Sequence, residues 1–191
     1  MHESNNSQFI HLKIHSQFSI CEGALKIEDL AKHCKEKKIR AVGLCDTNNL
    51  CGALEFSELI AKSKTQPIIG SQINFKYKGC IGKIPLFAKN ESGYKNLVKL
   101  SSKSFLEIDS DDLPNCRIEE LESNHEGLVL LTGSLDGLIG QLFSKNRIDD
   151  ILLLLKKFKT KFGENIYLEI QRHDDKGEKL FERFLLNLSN K

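Results

Sequence analysis

Near the start of the chain, three groups that can carry positive charge, His11, Lys13 and His15, alternate with Ile10, Leu12 and Ile14. A period of two is that of a β-strand whose two faces differ in chemistry. A serine-containing loop, Ser16-Gln-Phe-Ser-Ile-Cys-Glu-Gly23, follows at once. A strand built this way can deliver ligands to a pocket at its C-terminal end; the plainer alternative is an edge strand with a solvated face. Three more groups of interest sit at or near predicted strand ends. Asp46 closes the apolar run Ala41 to Cys45, Gln72 lies within Ile68 to Phe75, and His173 follows Ile166 to Gln171.

The elements that must position these groups can be read in order. Ile27, Leu30, Ala31 and Cys34 follow the i, i+3, i+4, i+7 rule of an amphipathic helix. Ala41 to Cys45 reads as a buried parallel strand. Asn48 or Asn49 can cap a second helix with an apolar stripe of Leu50, Ala53, Leu54, Ser57 and Ala61. Pro67 opens a third strand, and the β-α-β-α-β order implies parallel strands with right-handed crossovers. Lys78-Gly79 and Gly82-Lys83 are turn signals that suggest a hairpin excursion between Phe75 and Ala88. Asn90 can cap a helix through Leu100, and Ser101 to Pro114, with Asp109, Asp111 and Asp112, reads as an exposed loop. A strand from Gly127 to Thr132, helices over Leu135–Phe143 and Ile148–Phe158, a strand over Ile166–Gln171 and a closing helix complete the chain. Five strands interleaved with helices suit an α/β fold of the β/α-barrel kind, with its chemistry at the C-terminal ends of the strands.

Composition narrows the partners. The 191 residues suffice for one domain with its own core, and 40% are hydrophobic. No stretch approaches the roughly 20 apolar residues of a membrane span, and Met1 to Ser7 lacks the charged and apolar regions of a secretory signal. A cytoplasmic protein is expected. The net charge of +2 gives no global field that points to nucleic acid. Lys32 to Arg40 and Lys156 to Lys161 are basic, but both fall at ends of predicted helices, where cations complement the helix dipole. Six cysteines show no Cys-x-x-Cys pair or zinc-like spacing and read as reduced and structural.

In this order the segments Phe9–Gly23, Ala41-Val-Gly-Leu-Cys-Asp-Thr-Asn-Asn-Leu-Cys-Gly52, Gln66-Pro-Ile-Ile-Gly-Ser-Gln-Ile73 and Tyr167-Leu-Glu-Ile-Gln-Arg-His173 resemble the PHP family. They look like the PHP domain at the N-terminus of the bacterial replicative DNA polymerase III alpha subunit. The resemblance implies a distorted, TIM-like β/α barrel over residues 9–191, incomplete at its C-terminus, behind a disordered segment 1–8. It also implies a metal site, since metal-binding family members gather histidines and carboxylates at the barrel mouth. N and O ligands of these types suit Zn, Mn or Fe, which activate water for attack on phosphate esters.

Carried over position by position, the site is mixed. His15, Asp46 and His173 match family ligands, whereas Lys13, Thr47 and Gln72 stand where ligands are expected. An ammonium cannot bind metal and repels it; the expectation is a vestigial site with no catalytic residue and no cofactor. His11 shares the strand face and is a conceivable substitute ligand. Lys13 is expected either to pair with Asp46 in place of the metal or to extend to solvent, with Asp46 capping the following loop. By resemblance the chain belongs to a DNA-directed DNA polymerase, a nucleotidyltransferase, but it lacks the palm and should have no activity alone. Its expected role in DNA replication is that of a scaffold within the polymerase III holoenzyme. It would dock subunits such as the proofreading exonuclease and meet DNA only indirectly, with no membrane contact. The alternatives are a stand-alone metal-dependent PHP phosphoesterase and a separately encoded protein-binding remnant.

Overall fold

The computed structural model describes residues 9–107 and 113–189. The disorder expected for residues 1–8 and the loop positions Asp109, Asp111 and Asp112 lie outside the described residues.

The first helix, α1 (Ile27–Lys37), buries all four residues of its apolar stripe, with Glu28 and Asp29 in its first turn and Lys35 and Lys37 in its last. β1 (Ala41–Thr47) is buried from Ala41 through Asp46, as a strand covered on both faces must be. α2 (Ala53–Lys62) begins after Gly52, so neither Asn48 nor Asn49 caps it. Asn49 accepts instead from the Cys51 amide, and Asn48, in the left-handed region, accepts from the Asn74 amide. Both asparagines shape the β1–α2 turn. The buried side of α2 is Ala53, Phe56 and Ile60. Leu54, expected in the stripe, is 71% exposed.

β2 (Gln66–Tyr77) and β3 (Cys80–Ala88) form a hairpin that turns at Lys78 and Gly79, both with positive φ. Gly82 and Lys83, expected at a turn, lie inside β3 opposite Phe75 and Asn74. α3 (Glu91–Leu106) is capped by Asn90, whose side chain accepts from the Gly93 amide at 2.9 Å. It continues through Leu106, so Ser101 to Leu106 is helix and not loop. β4 (Cys116–Arg117), α4 (Ile118–Ser123), β5 (Leu128–Leu131), α5 (Leu138–Ser144), α6 (Ile148–Phe162), β6 (Ile166–Tyr167) and α7 (Glu178–Ser189) follow.

The sheet runs β1-β2-β3-β5-β6, with β4 paired to the far end of β2. β1–β2 and β5–β6 are parallel, but β3 is antiparallel to both its neighbours. The all-parallel strand order expected from the alternation therefore gives way, among the described residues, to a mixed six-stranded sheet. The reason is the hairpin, which belongs to the sheet and is not an excursion from it. The expected first strand runs beside β1 but makes only one ladder bridge, Ile14 with Leu44, and two amide contacts, from Gly43 to His11 and from Cys45 to Ile14. Gly43 is what lets it approach: a Cβ there would lie 2.3 Å from the Leu12 carbonyl oxygen. The strand expected over Ile166–Gln171 pairs only at Ile166 and Tyr167.

Two hydrophobic clusters fill the interior. The smaller joins α1, β1 and α2 through Ile27, Leu30, Cys34, Val42, Leu44, Phe56 and Ile60, with Ile14 and Phe18 packed against it. The larger gathers the hairpin, α3 to α7, β4 and β5 around Phe75, Ile84, Leu86, Leu130 and Phe158. Cys34, Cys45, Cys80 and Cys116 are buried, Cys21 and Cys51 exposed, and all six are free thiols. No helix of the described residues is long and apolar enough to cross a membrane.

Candidate functional site

A cleft opens between the N-terminal strand and the segment that follows β6. Lys13 and His15 reach it from the first strand, Gln72 from β2 and Lys83 from β3. Glu169 and His173 reach it from the segment after β6, and Glu22 and Asp136 from two loops. Of the six positions singled out in the sequence, this brings together Lys13, His15, Gln72 and His173. Thr47 joins through Gln72, while Asp46 lies behind them, 1% exposed.

Asp46 is bound by hydroxyls and a backbone amide. Its Oδ1 accepts from the Ser16 amide and the Ser19 hydroxyl, and its Oδ2 from the Ser16 hydroxyl, all at 2.7 Å. The Ser19 hydroxyl oxygen also accepts from the Thr47 amide at 3.1 Å. A buried carboxylate with three short donors satisfies its charge without a cation. The expected pairing of Lys13 with Asp46 is thus not formed. Lys13 Nζ lies 3.5 Å from Glu169 Oε1, with both side chains mostly buried. The ammonium crosses the cleft, because the residue pattern after β6 puts a carboxylate there that the sequence reading did not single out.

Lys83 is the second cation. Its Nζ lies 2.6 Å from Glu22 Oε1 and 3.4 Å from Asp136 Oδ2. The other oxygen of Glu22 accepts from the Thr47 hydroxyl, whose oxygen accepts from Gln72 Nε2 at 2.7 Å. Burial pushes the Glu22 carboxyl up, but the Lys83 ammonium and the Thr47 hydroxyl outweigh it and hold the group below its ordinary range. Asp136 is held low in the same way, against burial, by the Ser134 hydroxyl and by Lys13 and Lys83. Burial pulls Lys83 down, and Glu22 and Asp136 raise it past its ordinary value. Thr47 and Gln72, where family ligands were expected, are therefore members of one neutral-to-anionic hydrogen-bond chain that ends on an ammonium.

His15 is half-buried, and burial lowers its pKa, favouring the neutral ring. Its Nδ1, Gln72 Oε1 and Glu169 Oε2 are buried without a hydrogen-bond partner. His173 is exposed, and its amide donates to both Glu178 carboxylate oxygens at 2.9 Å. His11 is exposed too, lines the outer part of the cleft and meets Phe9 edge-on, with ring centroids 4.8 Å apart.

Glu22, Lys83, Asp136 and Glu169 escaped the sequence reading. Lys83 left a signal: it is the single charge in the nine-residue run Cys-Ile-Gly-Lys-Ile-Pro-Leu-Phe-Ala. A lone ammonium in such a run must find a carboxylate if the run is buried. Among the described residues, no group of three or more His, Cys, Asp or Glu side chains is placed to hold a metal ion. With two ammonium groups already on the carboxylates, the donor set does not fit the metal cluster that the resemblance implies.

Comparison with known proteins agrees with the sequence motifs. The DNA polymerase III subunit alpha of Rickettsia bellii is 35% identical over 186 residues, and that of Borreliella burgdorferi 37% over 204. Each match covers 97% of this chain but only 16% and 17% of the respective relative. The chain thus spans about a sixth of the length of these relatives. Among solved structures, a protein from Bifidobacterium adolescentis, provisionally described as a metal-dependent phosphoesterase, superimposes with a TM-score of 0.60. That superposition covers 96% of this chain and 84% of the other at 12% identity, a likeness of fold alone. The family model for the PHP domain matches residues 11–173. These matches make the chain a member of the PHP domain family.

Proposed function

We propose that this chain is the leading part of the PHP domain of a DNA polymerase III alpha subunit. It acts in cytoplasmic DNA replication as a metal-free, non-catalytic scaffold. It supports the polymerase and offers a docking surface to other holoenzyme subunits, the proofreading exonuclease among them, with DNA contacted only indirectly. His15, Asp46 and His173 are vestiges of a ligand set in which Lys13, Thr47 and Gln72 have replaced the rest.

The observation that carries this reading is the pair of ammonium groups in the cleft. Lys13 and Lys83 take up one carboxylate oxygen each of Glu169, Glu22 and Asp136. A metal would have to displace both before any water-activating centre for phosphate-ester chemistry could form. The identity to polymerase subunits, at 34% or more for the Aquifex aeolicus, Rickettsia bellii and Borreliella burgdorferi proteins, supports the place in replication. A phosphoesterase reading is favoured by one feature, the three unpartnered acceptors His15 Nδ1, Gln72 Oε1 and Glu169 Oε2.

Elemental analysis of the purified protein, with assays on phosphate mono- and diesters, separates the two. No stoichiometric Zn, Mn or Fe and no hydrolysis are expected. About one metal per chain, lost on His15→Ala together with hydrolysis, overturns the scaffold reading.

A further inference from the structure

We propose that Lys83 is the built-in cation of this cleft. It neutralises Glu22 and Asp136, draws their two loops together, and keeps divalent cations out. The inference rests on the metal-free reading above and names the group that makes the cleft so.

The placement argues for it first. Lys83 lies at the middle of β3, opposite Asn74 in β2, and bridges to Gly137 on its other side. Its backbone is thus fixed from both directions, and a Cβ on the neighbouring Gly82 would meet the Leu138 backbone at 2.5 Å. A stem anchored this firmly delivers the ammonium to one place. That place lies between a loop that follows the first strand, carrying Glu22, and a loop that follows β5, carrying Asp136.

Saturation argues for it second. Glu22 has one oxygen on Lys83 and the other on the Thr47 hydroxyl, with Gln72 Nε2 completing the chain. Each carboxylate oxygen that a cation could use in this corner already has a donor. An ammonium offers three donors and no acceptor, so it can serve two carboxylates and can never join a metal's coordination shell. Lys13 takes one oxygen of Glu169 at the other side of the cleft, where the second oxygen has no hydrogen-bond partner.

Charge argues for it third. The cleft residues Glu22, Asp136 and Glu169 carry three negative charges against two on Lys13 and Lys83, with Arg172 engaged by Glu182 at 2.7 Å. Removing Lys83 leaves the Glu22–Asp136 corner with two carboxylates and no cation in contact, only Lys13 acting on Asp136 from farther off. Such a corner must either bind protons or recruit a cation.

The test is Lys83→Met, which keeps the stem and removes the charge. Melting curves are taken for the wild type and the variant with EDTA and with millimolar MnCl2. Wild type should melt at one temperature in both. The variant should melt about 5 °C lower in EDTA, and recover in MnCl2 with a midpoint that climbs with concentration. A variant as stable as wild type, or one indifferent to MnCl2, overturns the proposal. A wild type that MnCl2 stabilises overturns the metal-free reading instead, so the two failures are distinct. If Lys83→Met does not fold, the triple variant Lys83→Met/Glu22→Gln/Asp136→Asn decides. Removing all three charges together should restore folding, and a triple variant that stays unfolded also overturns the proposal.

Discussion

Replacing Asp46 by Ala should be the most damaging single change in the site, although Asp46 meets no solvent and no cation. The carboxylate takes three donors at 2.7 Å: the Ser16 amide and the hydroxyls of Ser16 and Ser19. Each donor left unpaired in a buried site costs about 1–3 kcal/mol. Three would total roughly 3–9 kcal/mol if nothing relaxed, and a water entering the vacated space recovers part. The working expectation is about 4 kcal/mol, against about 5–15 kcal/mol for a whole domain. Urea unfolding with the m-value held in common measures it. Double-mutant cycles locate it: Asp46→Ala should couple to Ser16→Ala and Ser19→Ala by about 1–2 kcal/mol each. It should be additive with Lys13→Met, whose partner is Glu169. A loss below about 1 kcal/mol, or a strong coupling to Lys13 and none to the serines, would refute the serine cage as what holds Asp46.

Three further outcomes follow from other contacts. Lys13→Met and Glu169→Gln should each cost about 1 kcal/mol and should couple in a cycle, since the pair is mostly buried but only 3.5 Å close; independence would show that the ammonium is held by something else. His15 has a pKa lowered by burial, so the unfolded chain binds its proton at a higher pH than the folded one. Stability should therefore be present above the ordinary histidine value and fall as pH drops through it towards the lowered one, and His15→Gln should flatten that slope in acid titrations followed by circular dichroism. Gly43→Ala should cost about 3 kcal/mol, because the added Cβ would lie 2.3 Å from the Leu12 carbonyl and neither backbone can yield easily. Hydrogen exchange should then show the Gly43 and Cys45 amides, which bond the first strand, losing protection before the rest of β1.

The helices were legible because their periodicity is set by local sequence. Every buried residue of α1 was visible as Ile27, Leu30, Ala31 and Cys34. In α2 the register slipped, because Phe56 and Ile60 compete with Leu54 for the core and only the packing partners decide which face turns in. Strand direction was less legible. Both Lys78-Gly79 and Gly82-Lys83 read as turns, and the chain uses only the first, which turns β3 into an antiparallel member of the sheet. The site followed the same division. Lys13, His15, Gln72 and His173 do meet in one cleft, although Gln72 stands in the middle of β2 and Asp46, expected beside them, lies behind. Their partners were hidden, since Glu22, Asp136 and Glu169 are ordinary surface residue types until long-range pairing brings lysines to them.

The seam between the two hydrophobic clusters has a consequence for how the molecule comes apart. Lys13 and Glu22 belong to the side of α1, β1 and α2, whereas Glu169 and Lys83 belong to the side of the hairpin and α7. Both ion pairs, Lys13–Glu169 and Lys83–Glu22, therefore run across the seam. The seam is also bridged by β2, which pairs β1 along its first half and β4 at its end. Each side has its own apolar centre, so the N-terminal unit can open sub-globally while the larger one stays folded, with charge attraction among the forces opposing that opening. Salt weakens such attraction. Ionic strength should thus act as a dial on cooperativity: in dilute buffer the two sides should melt as one, and in concentrated salt the N-terminal side should exchange its amides first.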